Sequence, residues 1–137
     1  MANRISKIAA ALGGAALVCS GALLAQNAGI QRTIVTKADV SVPGREAVVA
    51  RVELPAGAVA GWHTHPGDEV SYVMEGEATL LIAGQPPRKV TAGEGFVIPA
   101  GTVHNARNES GGPVRLVGVY VIEKGRPLAS PAPAPAQ

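Results

Sequence analysis

Between residues 30 and 125 no segment repeats its apolar residues at a helical interval, and that absence constrains the fold more than any other feature. Short β-branched runs cut by turn residues fill the region instead. "IQRTIVTKADV" (30–40) reads as an edge strand and "EAVVARVEL" (46–54) as a full strand. "EVSYVMEGEATLLI" (69–82) reads as two strands broken at Gly76, and "AGQPPRKV" (83–90) as a loop entering a short strand. "GEGFVIPAGTVHNARN" (93–108) holds a strand, a turn and a strand, with Pro99 and Gly101 at the second and fourth places of a type I turn. "PVRLVGVYVI" (113–122) is a last long strand. A count of 17 glycines and 11 prolines against 3% aromatic residues suits many tight turns. The expectation is one all-β domain, a sandwich or barrel, over residues 26–125.

The two ends read differently. Arg4 and Lys7 precede an uncharged apolar stretch from Ile8 to Leu24, followed by small residues. This is the pattern of a signal peptide over residues 1–25, forming a helix and cut near Ala25. Leu23, bulky for the third place before the cut, blurs the point by a few residues. An uncleaved anchor is the alternative, although the stretch is short for a span of about 20 residues. The implied location is the periplasm or the cell exterior. The single cysteine, Cys19, falls in this segment. Val18 before it argues against a lipid-attachment box, and the mature chain would carry no thiol or disulfide. From Arg126 onward the Pro/Ala-rich "RPLASPAPAPAQ" (126–137) is expected to be a disordered tail. A formal charge of +2, with no basic run and no aromatic ladder, excludes a nucleic-acid partner.

The chemistry gathers around "GWHTHPGDEV" (61–70). His63 and His65 stand two apart, so on a strand they face one side. Glu69 follows the turn residues "PGD" and can swing back toward them. His104 lies far along the chain, after "IPAG". A compact barrel can bring it in as a fourth ligand beside His63, His65 and Glu69. By alternation Ser71 and Val73 share the face of Glu69, so that Ser71 can line a pocket, while Val70, Tyr72 and Met74 face away. Trp62 opposes His63 and is expected to pack at the core or rim. Phe96 and Ile98 are expected in the core. Arg115 is expected on a solvated strand face, and Glu75, Glu77 and Glu94 in water beside turns. Asn108, in "NES", fits a glycan-acceptor pattern, but a structural hydrogen-bonding role in a turn is the preferred reading.

The spacing can be counted. Gly57, five residues, His63, one, His65, three, Glu69, six, Gly76 form one block. Sixteen residues later Gly93, five residues, Pro99, one, Gly101, two, His104, three, Asn108 form a second. These ten positions resemble both motifs of the cupin superfamily, and the resemblance covers about residues 32–123. It implies a cupin-type double-stranded β-helix, or jelly-roll barrel. It also implies metal ligation by His63, His65, Glu69 and His104, with the glycines and Pro99 as turn positions.

Independently of the family, three imidazoles and a carboxylate suit one divalent transition metal: Fe, Mn, Ni, Co, Cu or Zn. The site would carry a net positive charge with open positions, which favours a small, anionic, bidentate ligand. Protic groups nearby are few: Glu69, Tyr72 and Tyr120. Catalysis would therefore lean on the metal, with Glu69 as a base only by resemblance to some cupin dioxygenases. Three readings stay open: a metal-binding cupin of unassigned activity, a dioxygenase similar to quercetin- or diketone-cleaving cupins, and a non-catalytic binder of metal or metabolite. The resemblance further implies a homodimer, for which the 30–40 strand is the candidate edge.

Overall fold

The computed structural model describes residues 29–136; the expected signal segment lies outside the described residues. Two antiparallel sheets and no helix occur among the described residues. The first sheet runs in the order β1 (Gln31–Asp39), β2 (Arg45–Leu54), β9 (Val114–Glu123), β4 (Gly67–Glu75), β7 (Gly95–Ile98). The second runs β10 (Ser130–Pro131), β3 (His63–Thr64), β8 (His104–Arg107), β5 (Glu77–Ile82), β6 (Arg88–Thr91). All-β architecture with sheet facing sheet is what the turn-punctuated sequence implies. The strand breaks fall where the turn residues stand, Gly76 between β4 and β5 among them.

Alternation decides which residues go inside. On β2, Glu46, Val48, Ala50, Val52 and Leu54 are buried in strict two-residue steps, and on β9 Val114, Leu116, Tyr120 and Ile122 follow the same rule. On β4, Ser71 and Val73 are buried with Glu69, while Val70, Tyr72 and Met74 are exposed, as alternation requires. Ala78, Leu80 and Val90 of the second sheet face them, Ile98 of β7 joins from the first sheet, and Phe96 packs half-buried against the core. Each large aliphatic side chain removed from water here contributes about 1.5–3 kcal/mol. Glu46, a buried acid near the start of β2, is matched by Lys37 Nζ at 3.0 Å. Arg115 lies on the outer face between Glu53 and Glu75, and Glu77 pairs with Lys89, so these groups stay in water with partners.

Three expectations need correction. The turn after β7 is not the type I turn anticipated. The Thr102 amide donates to the Pro99 carbonyl at 3.1 Å, which makes Pro99 the first residue and Gly101 the third. Gly101 has φ of +72°, as the third place of a type II turn demands, and this is a conformation that glycine adopts without strain. The second correction concerns the "PGD" bend. It is confined to His65 and Pro66, because β4 already starts at Gly67. Gly67 lies so close to β9 that a Cβ there would run into the Val121 carbonyl. The third concerns residues 126–136, expected to be disordered. Ser130 and Pro131 instead pair with Thr64 and His63 as β10, the Ala132 amide donates to the Trp62 carbonyl at 2.9 Å, and Leu128 packs on the core. Backbone bonding to an exposed strand edge holds this segment, and composition gives no sign of that.

Candidate metal centre

The short passage His65–Pro66 carries the chain from one sheet to the other, and this places the site between them. His63 on β3 lies directly across from His104 on β8, and Glu69 on β4 lies across from Tyr120 on β9. One nitrogen from each of His63, His65 and His104 falls within 4.8 Å of the others, a grouping able to hold a metal ion. The Glu69 carboxylate joins them from the opposite sheet. Its Oε2 stands 3.0 Å from His65 Nε2 and 3.3 Å from His104 Nε2. His65, His104 and Glu69 are buried, whereas His63 is half-buried at the edge of the cluster.

Each imidazole is fixed by its other nitrogen. Nδ1 of His63 lies 2.7 Å from the Gly61 carbonyl, Nδ1 of His65 2.5 Å from that of Leu128, and Nδ1 of His104 2.9 Å from that of Thr102. A carbonyl only accepts, so Nδ1 carries a proton in all three rings and Nε2 is the nitrogen left to face a metal ion. Nε2 of His65 and of His104 are buried and have no partner other than Glu69 Oε2 among the described residues. The Ser71 hydroxyl donates to Glu69 Oε1 at 2.6 Å, which leaves Oε2 facing the rings. In the metal-free chain a proton on Nε2 of His65 or His104 bridges to Glu69 Oε2, and a bound cation would take that proton's place. A divalent cation satisfies such a donor set, and the residues present fit one.

The electrostatics agree. Burial holds the His63 imidazole down at about 4, so it is neutral at physiological pH. Burial alone would push the Glu69 carboxyl up, but the imidazoles of His104 and His65 and the Ser71 hydroxyl outweigh it and hold the group well below the usual carboxylate range. Burial, with the Glu69 charge beside it, pushes the Tyr120 phenol up to about 12, which makes it a neutral donor rather than a base. Its ring lies 4.8 Å from that of His65, and Gly118 leaves the space that the ring occupies.

The two halves of the site are bolted together by backbone. The Gly101 amide donates to the His65 carbonyl at 3.0 Å and the Ala100 amide to Asp68 Oδ1 at 2.9 Å. The turn before His104 thus sits directly on the bend after His65. Asn108 is fully buried, and its amide nitrogen donates to the carbonyls of Leu54, Pro55 and Gly112, while its oxygen accepts from Ser110. It is a structural clamp with no nitrogen free for a glycan. Tyr72 and Trp62 are not among the converging groups. Sequence reasoning missed Leu128, which acts through its carbonyl, and Arg32, whose guanidinium carbon lies 5.9 Å from the centre of the Tyr120 ring. A backbone acceptor has no residue signature, and Arg32 stood in a strand read only as an edge.

An inner cavity of about 30 Å³, room for roughly one water, touches His63, Glu69, His104, Tyr120 and Arg32. An outer pocket of about 330 Å³ opens beside it, lined by Ile30, Arg32, Trp62, His63 and Ala129–Pro131.

Comparisons with known proteins agree with this geometry. Residues 50–121 match the cupin domain family. Dimethylsulfoniopropionate lyase DddQ of Ruegeria pomeroyi is 38% identical over 56 residues, which cover 41% of this chain and 28% of that protein. Nectarin-1 of Nicotiana plumbaginifolia is 35% identical over 99 residues, 63% of this chain and 42% of that one. The chain thus spans less than half the length of these curated relatives. Among solved structures, a double-stranded β-helix domain protein from Klebsiella pneumoniae superposes with a TM-score of 0.66 at 22% identity, over 79% of this chain and 88% of that one; this likeness concerns the fold.

Proposed function

Because the chain belongs to the cupin domain family, we propose that it holds one divalent transition metal on His63, His65, Glu69 and His104 and uses it to bind a small anionic ligand. One observation carries this reading: three rings pinned through Nδ1 turn Nε2, with a Ser71-oriented carboxylate, onto one buried point. The metal would supply Lewis acidity and open coordination positions. The chain's own residues do the rest. The three carbonyl anchors fix ring tautomer and aim. Ser71 holds Glu69 in place. Tyr120 offers a proton to a neighbouring oxygen without surrendering it. The narrow inner cavity excludes bulk water and leaves the ligand's body in the outer pocket.

Atomic emission analysis of the purified chain is expected to give about one divalent metal per molecule. A chain that accepts none removes the reading. His65→Ala or His104→Ala is expected to lose the metal while the fold survives, since apolar burial holds the sheets.

Similarity to a lyase acting on a carboxylate substrate makes elimination the first activity to assay, with dimethylsulfoniopropionate as test substrate. Oxygen uptake with a diketone or a flavonol tests the dioxygenase reading, with Glu69 as candidate base. Metal-loaded protein that binds ligands and turns none over assigns a binding role. We further propose that the chain is exported to the periplasm or exterior. It would pair as a homodimer through β1, whose outer edge has no strand beside it among the described residues and whose Ile34 and Val35 are exposed. Sedimentation of the mature chain tests the pairing.

A further inference from the structure

Arg32 is half-buried, unlike the exposed Arg51, Arg107 and Arg126, and differs from the remaining arginines of the barrel in its partners. Arg115 has Glu53 and Glu75 against it, Arg45 donates to the Pro66 carbonyl, and Arg88 donates to the Gly95 carbonyl. Arg32 itself meets the Tyr120 phenol but no carboxylate or carbonyl among the described residues, and keeps a buried Nε without a hydrogen bond. A buried N–H left unpaired is costly, and the cost is tolerated where a ligand completes the pairing. The position fits that use. Arg32 lines both the inner cavity and the outer pocket, and it is the only charged residue among those lining the outer pocket. Its guanidinium lies over the Tyr120 ring, which limits where the fork can point. The remainder of the outer wall is largely apolar: Ile30, Trp62, Ala129 and Pro131.

We infer that Arg32 is the anchor for a carboxylate of the ligand, whose opposite end reaches the metal site. This rests on the metal reading above and adds a specificity-determining residue to it. A guanidinium fork matches a planar carboxylate through two parallel hydrogen bonds, a geometry that a lysine cannot reproduce. The apolar wall suits a short carbon body between the two ends. The ligand class is therefore a small acid with a second oxygen donor, as in a diacid or a keto or hydroxy acid, and neutral analogues are disfavoured.

The test uses the mature chain loaded with Co(II), whose visible spectrum reports on ligation. The probes are malonate, succinate and glutarate, with succinamide as the neutral control. The unaltered chain is expected to bind at least one of the diacids, and succinamide far more weakly. Arg32→Gln is expected to keep its full metal content and to lose about tenfold to a hundredfold in diacid affinity. Arg32→Lys should recover only part of that loss, because the charge returns without the fork. Metal content of the unaltered chain reads the metal proposal by itself; if no metal binds, that reading and the anchor fall together. If metal binds and Arg32→Gln takes up diacids as well as the unaltered chain, the anchor alone is wrong. Loss of metal from both Arg32 variants would make Arg32 a support of the metal site and overturn its role as anchor, as would equal affinity for succinamide.

Discussion

Ending the chain at Arg126 removes a segment that composition marks as dispensable, and the structure expects it to damage the metal site. His65 Nδ1 sits 2.5 Å from the Leu128 carbonyl, and that contact fixes which nitrogen of the ring faces the cluster. Losing the outer partner of a ligating histidine costs about tenfold to a hundredfold in metal affinity, or about 1.4–2.7 kcal/mol. Water can reach Nδ1 once the segment is gone and replace part of the bond, so the lower end is expected. Stability should fall separately. The half-buried Leu128 leaves the core, β10 leaves β3, and the Ala132–Trp62 backbone bond is lost, together about 1–2 kcal/mol. Leu128→Ala separates the two effects, since it removes the side chain and keeps the carbonyl. Competition against a chelating dye measures affinity, and calorimetry measures the melting temperature. The truncated chain should bind metal about tenfold more weakly, while Leu128→Ala should bind normally and melt lower. Equal affinity in the truncated and full chains would refute the carbonyl's role, and an equal loss in Leu128→Ala would shift the cause to packing.

Asn108→Ala should destabilise by about 3–5 kcal/mol in denaturant unfolding, because the carbonyls of Leu54, Pro55 and Gly112 lose a shared buried donor. Gly67→Ala should cost about 3 kcal/mol, since the added methyl meets the backbone of β9, which cannot step aside. The metal-free chain should become less stable as pH falls. His63 in the fold resists a proton down to about 4, whereas the unfolded residue takes one near its ordinary 6.5, so acidification through that window favours unfolding. Glu69 acts in the same direction: its stabilisation is present above the ordinary 4.5 and is lost below it. A melting temperature of metal-free protein that is flat from pH 7 to pH 4.5 would contradict the His63 assignment, and one that stays flat on further acidification below pH 4.5 would contradict that of Glu69.

The sequence discloses what depends on side-chain identity at fixed spacing. The strand break at Gly76 and the inward face of Glu69, Ser71 and Val73 were legible because alternation and turn chemistry are local rules, whereas the meeting of His63, His65, Glu69 and His104 was legible through the resemblance to the cupin motifs. What depends on distant backbone was not. β10 is held by main-chain bonds to β3, and Leu128 acts by its carbonyl, so a Pro/Ala-rich composition hid both. Gly67 is needed because β9 passes close by, which no neighbour in sequence announces. Arg32 reads as an ordinary edge-strand cation until β1 is seen to bring it over Tyr120. The Pro99–Gly101 turn was placed correctly and typed wrongly, because residue preference alone does not fix which residue opens a turn.

The donors of the cluster belong to both sheets: Glu69 hangs from one, and His63 and His104 from the other. A metal ion there would be a rivet through the sandwich as well as a reagent. Its binding free energy would add to the resistance of the whole barrel, growing with the logarithm of free metal concentration. Wherever proteases meet whatever opens, molecules starved of metal would be cleared faster than loaded ones. The standing amount of this protein would then follow the local metal supply, with no regulator needed to read it.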